Sequence, residues 1–211
     1  MNCDKKNLLL YAVTDRSWLG TESLYSQVKK AIDGGVTFVQ LREKELAQEA
    51  FYKEALEIQA LCREKNIPFV INDNVALAKK IDADGVHVGQ EDMEAGDVRS
   101  LLGPDKIIGV SAHSVEEALL AEKRGADYLG VGAAFSTNSK KDVSCISHET
   151  ICDICQAVQI PVIAIGGINE TNIEELKGTG ICGVAVISAI FAKKDITGAA
   201  RTLRDRVDTL F

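Results

Sequence analysis

Residues 39–46 read VQLREKEL, with Val39 and Leu41 on one face and Gln40, Arg42 and Lys44 on the other. A period of two makes this a strand. Immediately afterwards, over residues 47–66, the period changes. Phe51, Ala55, Ile58 and Cys62 now share one apolar face, while Lys53, Glu54, Glu57 and Glu64 lie largely off it. Ile67-Pro68 then stops the helix and PFVIND opens a second strand, since proline at a strand's first position loses no ladder bond. Strand, helix, strand is the repeating unit of a parallel sheet.

The same unit recurs in both directions. Strand patterns fall at 8–15, 37–43, 68–73, 85–90, 106–112, 128–134, 161–168 and 183–190, with helical patterns between them. Glycine-containing joints (DGGVT, DADGVHV, RGADYLG, GTGICGV) precede strands two, four, six and eight, where a helix needs a left-handed cap before the chain turns back. Strands three and seven follow Ile-Pro instead. Eight units without a linker or a composition shift predict an α/β fold of the closed (β/α)₈ TIM-barrel type, a single domain over residues 1–211, although about 250 residues is usual for it. A doubly wound open sheet is the alternative; it generally has fewer strands, and no GxGxxG follows the first one.

Composition narrows the function. A net charge of −7 argues against sequence-independent capture of nucleic acid, so any phosphate binding must be local. The apolar run Leu8–Val13 is shorter than a signal-peptide core, and no segment approaches the roughly 20 apolar residues of a membrane span, so a cytoplasmic address is expected. The six cysteines are scattered as reduced thiols would be. Cys152 and Cys155 form a CxxC, but Ile151, Ile154 and Val158 continue a helical period around them, which reads as a helix face and not as a metal or redox motif. The assembly state, a homo-oligomer included, is left open.

Barrel strands are buried on both faces and usually read as near-continuous Val, Ile and Leu. VQLREKEL departs from that. Its polar face points inward and climbs to the C-terminal mouth, where barrel enzymes keep their sites. Arg42 and Lys44 there need an anion. Glu43 and Glu45 could pair with them at the rim, but parity sends both glutamates the other way; a planar fork beside a flexible ammonium suits phosphate. Other strand ends are polar too: Asn72-Asp73, Glu91-Asp92 and Ser111, with FSTNSKK (Thr137, Asn138, Ser139, Lys140, Lys141) after strand six. One or two carboxylates plus substrate phosphates is the usual arrangement for Mg²⁺. Gly166-Gly167 after strand seven and Ser188 near the end of strand eight, opening a short helix SAIFA, form a second anion site of the kind barrels build there. His87 reads as a hydrogen-bonded interior group. His113 and His148 make no catalytic spacing with it. Trp18 falls on the first βα loop.

Taken together, YAVTD, GGVTFVQLREK, FVINDNVALA, ADGVHVGQEDM, IIGVSAHS, GADYLGVGAAFSTNSKK, IPVIAIGGIN and GVAVISAI resemble the thiamine phosphate synthase family over residues 11–191. That resemblance implies a transferase joining 4-amino-5-hydroxymethyl-2-methylpyrimidine diphosphate to 4-methyl-5-(2-hydroxyethyl)thiazole phosphate, with release of pyrophosphate. It also implies a dissociative order, in which pyrophosphate leaves before the thiazole nitrogen attacks. Carried over by motif, the segment Gln40, Leu41, Arg42, Glu43 and Lys44, with Asn72, Ser111 and Lys140, would contact the pyrimidine diphosphate, and Asp73 and Asp92 would hold Mg²⁺. Arg42, Lys44, Ser111 and Lys140 would be the catalytic set. Thr137, Asn138, Ser139, Gly167, Ile187 and Ser188 would receive the thiazole phosphate. The family commonly has F-P-T-x-T-K where this chain has Ser136 and Ser139, so the loop keeps a hydroxyl but loses proline's fixed φ.

Two other readings fit part of the pattern. A thiazole phosphate tautomerase of the same fold would typically lack the Asp73/Asp92 pair. A non-catalytic phosphate-ligand binding protein would need only the anion sites.

Overall fold

The computed structural model describes residues 3–89, 95–137 and 145–211, the side chains of 95 and 96 excepted. Eight parallel strands close in sequence order: β1 Leu10–Val13, β2 Phe38–Leu41, β3 Phe69–Asn72, β4 Gly85–Val88, β5 Ile107–Ala112, β6 Tyr128–Val131, β7 Val162–Ile165 and β8 Val184–Val186. The ring closes through β1 and β8, which pair Leu10 with Val184 and Ala12 with Val186. The open-sheet alternative is thereby excluded. Most strands are shorter than the sequence patterns, which run on into the βα loop; β5 is the exception and ends with its pattern at Ala112.

Helices α1 Leu24–Asp33, α2 Gln48–Glu64, α3 Val75–Ile81, α4 Ala95–Leu102, α5 Val115–Lys123 and α6 His148–Ala157 follow the first six strands. Side-chain caps start several of them: Ser23, Asn74, Ser114 and Ser147 each accept a backbone N–H from the first turn. The expected left-handed joints form, but not always on glycine. After α5 it is Gly125 at φ +91°, whereas after α3 it is Asp82 at φ +54°, a residue type whose short polar side chain tolerates that region. The seventh unit departs from the repeat. Between β7 and β8 the chain forms only a 3₁₀ turn, Ile173–Leu176. There Asn169 and Asn172 bond neighbouring backbone and stabilise turns in place of a helix. α7 Ser188–Phe191 and α8 Ile196–Leu210 complete the layer.

Two apolar clusters follow from strand parity. The outer one packs Val39, Leu41 and Ile71 against Ala55, Ile58 and Cys62 of α2 and equivalent helix faces. The inner one fills the barrel with Tyr11, Val13, Phe38, Val70, Tyr128, Ile163 and Ala185. Fully burying one such large side chain stabilises the fold by about 1.5–3 kcal/mol. Tyr11 and Phe38 lie 4.5 Å apart between ring centroids, and Phe38 meets Tyr128 edge-on at 5.9 Å. All six cysteines are free thiols. Burial pushes the Cys155 thiol up to about 12, as befits a helix-face residue and not a reactive one.

Candidate active site

Parallel strands in a closed ring bring every strand end to one rim. β2 and β3 are neighbours, with Leu41 opposite Ile71, so Arg42 and Asp73, each just beyond its strand, lie on adjacent segments of that rim. Gln40 faces inward and is buried. Arg42 is held twice by Thr14, which is itself wholly buried: the Arg42 N–H donates to Thr14 Oγ1 at 2.9 Å, and Oγ1 donates to the Arg42 carbonyl at 3.4 Å. The Arg42 guanidinium sits 3.8 Å from Asp15 Oδ2, with only 11% of its side chain exposed. The other Asp15 oxygen accepts from Ser17 N–H, which fixes the carboxylate. Lys44, in the bend after the strand, is exposed.

Parity separates the remaining members of this segment from the mouth. The Leu41 side chain belongs to the outer core, so its place in the substrate-binding segment rests on backbone alone. Glu43 also turns outward. Arg16 Nε donates to both of its oxygens, at 3.2 and 3.1 Å, while Arg16 Nη2 donates to Glu54 of α2 at 2.7 Å. The Glu43 carboxylate is thus engaged by Arg16 on the outward side of the segment. Burial pushes the Glu43 carboxyl above the ordinary glutamate value, outweighing the pull of the guanidinium, whose own pKa rises chiefly through the hydrogen bond with Glu43.

At the end of β3 the backbone makes two successive three-residue turns. Asn74 N–H donates to the Asn72 carbonyl at 2.7 Å and Val75 N–H to the Asp73 carbonyl at 3.0 Å. Asp73 at their junction has φ +60°, a sparsely populated region for a residue with a side chain and one that recurs at ligand sites. Its exposed carboxylate accepts from Asn72 Nδ2 at 2.5 Å. The backbone is anchored from β4, where the His87 carbonyl accepts Asp73 N–H at 2.9 Å.

The barrel interior beneath the mouth contains a polar column. Ser111 Oγ lies 3.0 Å from His87 Nε2, His87 Nδ1 lies 3.0 Å from the Tyr128 hydroxyl, and that hydroxyl lies 2.8 Å from Tyr11's. Glycines make the room: a Cβ on Gly109 would stand 2.2 Å from Tyr128 Cζ and 2.5 Å from His87 Nδ1. His87 is thus the bonded interior group its sequence context suggested.

On the far side of the rim, β7 ends in Gly166 and Gly167. Gly167 has φ +66°, and a Cβ there would come 2.4 Å from the Ser136 carbonyl, so the loop after β6 rests directly on this glycine. The Gly167 carbonyl accepts from Asn169 and Asn172 side chains at 3.2 and 3.0 Å. Ile187 and an exposed Ser188 follow the adjacent β8, Ser188 opening the expected short helix. Thr137 lies half-buried at the start of the loop. Asp92, Asn138, Ser139 and Lys140 lie outside the described residues. Among the described residues no cluster of three or more His, Cys, Asp or Glu side chains is placed to hold a metal. A groove of about 380 Å³ lined by Glu174, Thr202 and Arg206 lies between the 3₁₀ turn and α8 and contains none of the strand-end residues.

The sequence reading missed Thr14, Asp15, Arg16, Tyr11 and Tyr128. Two signals were present: Tyr11 and Tyr128 fall on the inward parity, and Gly109 and Gly130 interrupt strands, which marks close approach of another group.

The family model for thiamine monophosphate synthase matches residues 10–190, from the first strand to the short helix after the eighth. The chain belongs to this family. A thiamine-phosphate synthase from Clostridium beijerinckii is 50% identical over 196 residues, covering 93% of this chain and 94% of that one. The thiamine-phosphate synthase from Clostridium tetani is 50% identical over 200 residues, covering 94% and 96%. Among solved structures, a thiamine phosphate pyrophosphorylase from Pyrococcus furiosus superposes with a TM-score of 0.90 at 39% identity, covering 98% of each chain. The KGPDC of Streptococcus mutans, at 13% identity over 97% of this chain and 99% of its own, superposes with a TM-score of 0.67 and shares the fold alone. No helix among the described residues is long and apolar enough to cross a membrane.

Proposed function

We propose that this chain is a transferase that makes thiamine phosphate, joining the pyrimidine-methyl group of a pyrimidine diphosphate to the nitrogen of a thiazole phosphate and releasing pyrophosphate. The observation that carries the reading is the whole-barrel family match, with cationic and hydroxyl side chains at the one rim where barrel chemistry takes place.

The bond from the pyrimidine methylene carbon to oxygen breaks with both electrons leaving on the diphosphate. A thiazole nitrogen lone pair then forms the C–N bond. No protein nucleophile is needed; the work is stabilising the departing charge and aligning the second substrate. Arg42 and Lys44 receive the diphosphate, joined by Gln40, Asn72, Ser111 and, from the adjoining loop, Lys140. Thr14 and Asp15 hold Arg42 before substrate arrives, so little reorganisation accompanies the developing charge. Removing one such oriented donor typically costs about 10²–10³ in rate. Thr137, Asn138, Ser139, Gly167, Ile187 and Ser188 take the thiazole phosphate across the rim. Tyr11, Phe38 and Tyr128 close the floor below, which keeps water from the pyrimidine cation on that side.

Asp73 supplies an exposed hard oxygen donor at the rim, which fits a cation that keeps few protein ligands and prefers phosphate oxygens. With Asp92 it would hold Mg²⁺, which when bound lends positive charge to the leaving diphosphate. Six free thiols suit a reducing compartment, and we place the protein in the cytoplasm.

Incubating the protein with both substrates and Mg²⁺ tests the activity. Thiamine phosphate and pyrophosphate should appear in equal amounts. Conversion of the thiazole phosphate without pyrophosphate release would assign a tautomerase; binding of either substrate without product would assign a phosphate-ligand binder.

A further inference from the structure

We propose that Tyr128 is a positioning residue: it fixes which nitrogen of His87 carries the proton and thereby makes Ser111 a hydrogen-bond donor toward the mouth. The proposal rests on the reading that Ser111 meets the diphosphate.

The proton order follows from counting donors in the buried column. Tyr11 and Tyr128 are both essentially inaccessible, and burial pushes both phenols upward, so each keeps its proton. Among the described residues the Tyr11 hydroxyl bonds to Tyr128 alone, so its buried proton is satisfied by donation to the Tyr128 oxygen. Tyr128 then directs its own proton to its remaining neighbour, His87 Nδ1, at 3.0 Å. A neutral imidazole that accepts at Nδ1 carries its proton at Nε2. Nε2–H therefore donates to Ser111 Oγ at 3.0 Å, and the serine's own proton turns away from the histidine. The reverse order leaves the Tyr11 proton buried without an acceptor, a costly arrangement. A phosphate oxygen accepts hydrogen bonds and donates none, so a serine fixed as donor matches the ligand.

Phenylalanine substitutions separate this order from plain packing. Tyr11→Phe removes a buried hydroxyl but leaves Tyr128 with no acceptor other than Nδ1, so the proton order persists. Tyr128→Phe removes the donor to Nδ1. The double variant also removes the orphaned Tyr11 hydroxyl, and it serves if the single variant fails to fold. Long-range ¹H–¹⁵N NMR of histidine-labelled, ligand-free protein, with His87 assigned by difference from His113→Gln and His148→Gln, should show the proton on Nε2 in wild type and Tyr11→Phe. It should show a changed or mixed tautomer in the Tyr128→Phe variants. With saturating thiazole phosphate, kcat should fall about tenfold or more in the Tyr128→Phe variants, as for loss of one oriented donor, and clearly less in Tyr11→Phe, which keeps the ring that helps close the floor. The KM for thiazole phosphate should not change.

A wild-type ring protonated at Nδ1 or at both nitrogens would overturn the proposal and leave the enzymatic reading intact. Equal kcat losses in the Tyr11→Phe and Tyr128→Phe single variants would also overturn it. So would an altered tautomer with unaltered turnover. Absence of any turnover in wild type would sink the enzymatic reading instead, and the ligand-free spectra would still decide the proton order.

Discussion

Thr14 and Arg42 are joined by two hydrogen bonds through a single hydroxyl, 28 residues apart in the chain, and the threonine is wholly buried. Thr14→Val keeps the shape and removes both bonds, leaving the Arg42 N–H without its partner. The variant should lose about 1–3 kcal/mol of stability, measured by urea unfolding. Its KM for the pyrimidine diphosphate should rise with little change for the thiazole phosphate. Equal changes in both KM values would detach this contact from the diphosphate half of the mouth.

Lys44 is exposed on the rim, and among the described residues no hydrogen bond or ion pair would be stranded by its loss. Lys44→Met should therefore leave the melting temperature within a degree or two while raising the KM for the pyrimidine diphosphate about tenfold or more, the size of one lost charge-assisted contact. Isothermal titration with thiazole phosphate should give the wild-type affinity.

Asp73→Asn preserves the side-chain shape but removes the charge that suits a divalent ion. The prediction is a higher Mg²⁺ concentration for half-maximal rate, with an unchanged circular dichroism spectrum. Asp92→Ala should act in the same direction. Wild-type Mg²⁺ dependence in either variant removes that residue from the metal site.

Glu43 gives a pH prediction. Its side chain is 2% exposed, and burial raises its pKa above the ordinary 4.5 despite the hydrogen bonds from Arg16. The folded protein thus retains a proton on Glu43 at pH values where the unfolded chain has released it. Its contribution to stability is full below 4.5 and declines as pH rises through the raised folded value. Glu43→Gln has nothing to titrate there. Urea midpoints measured upward from about pH 4.5 should fall less steeply in the variant than in wild type.

Periodicity sufficed for the ring of strands, because parity and the alternation of strand with helix are local properties that closure leaves intact. The inward turn of Gln40 and the outward turn of Glu43 were legible for the same reason. The seventh helix was not: nothing local distinguishes a weak helical pattern from a 3₁₀ turn until Asn169 and Asn172 bond the backbone. The Arg16–Glu43–Glu54 clamp and the Tyr11–Tyr128–His87 column join residues from different units, and one-dimensional spacing carries no record of such pairings. Leu41 and Glu43 entered the substrate segment as members of a motif, and the fold assigns their side chains elsewhere.

Gly109 contributes no side-chain atom to the polar column, yet it decides whether the column exists, because even one methyl group would occupy the space of the imidazole and the phenol. The location of a titratable ring inside this cylinder is thus encoded by a neighbouring omission. Grafting His87, Tyr128 and Ser111 onto another barrel without that gap would reproduce the letters and lose the geometry.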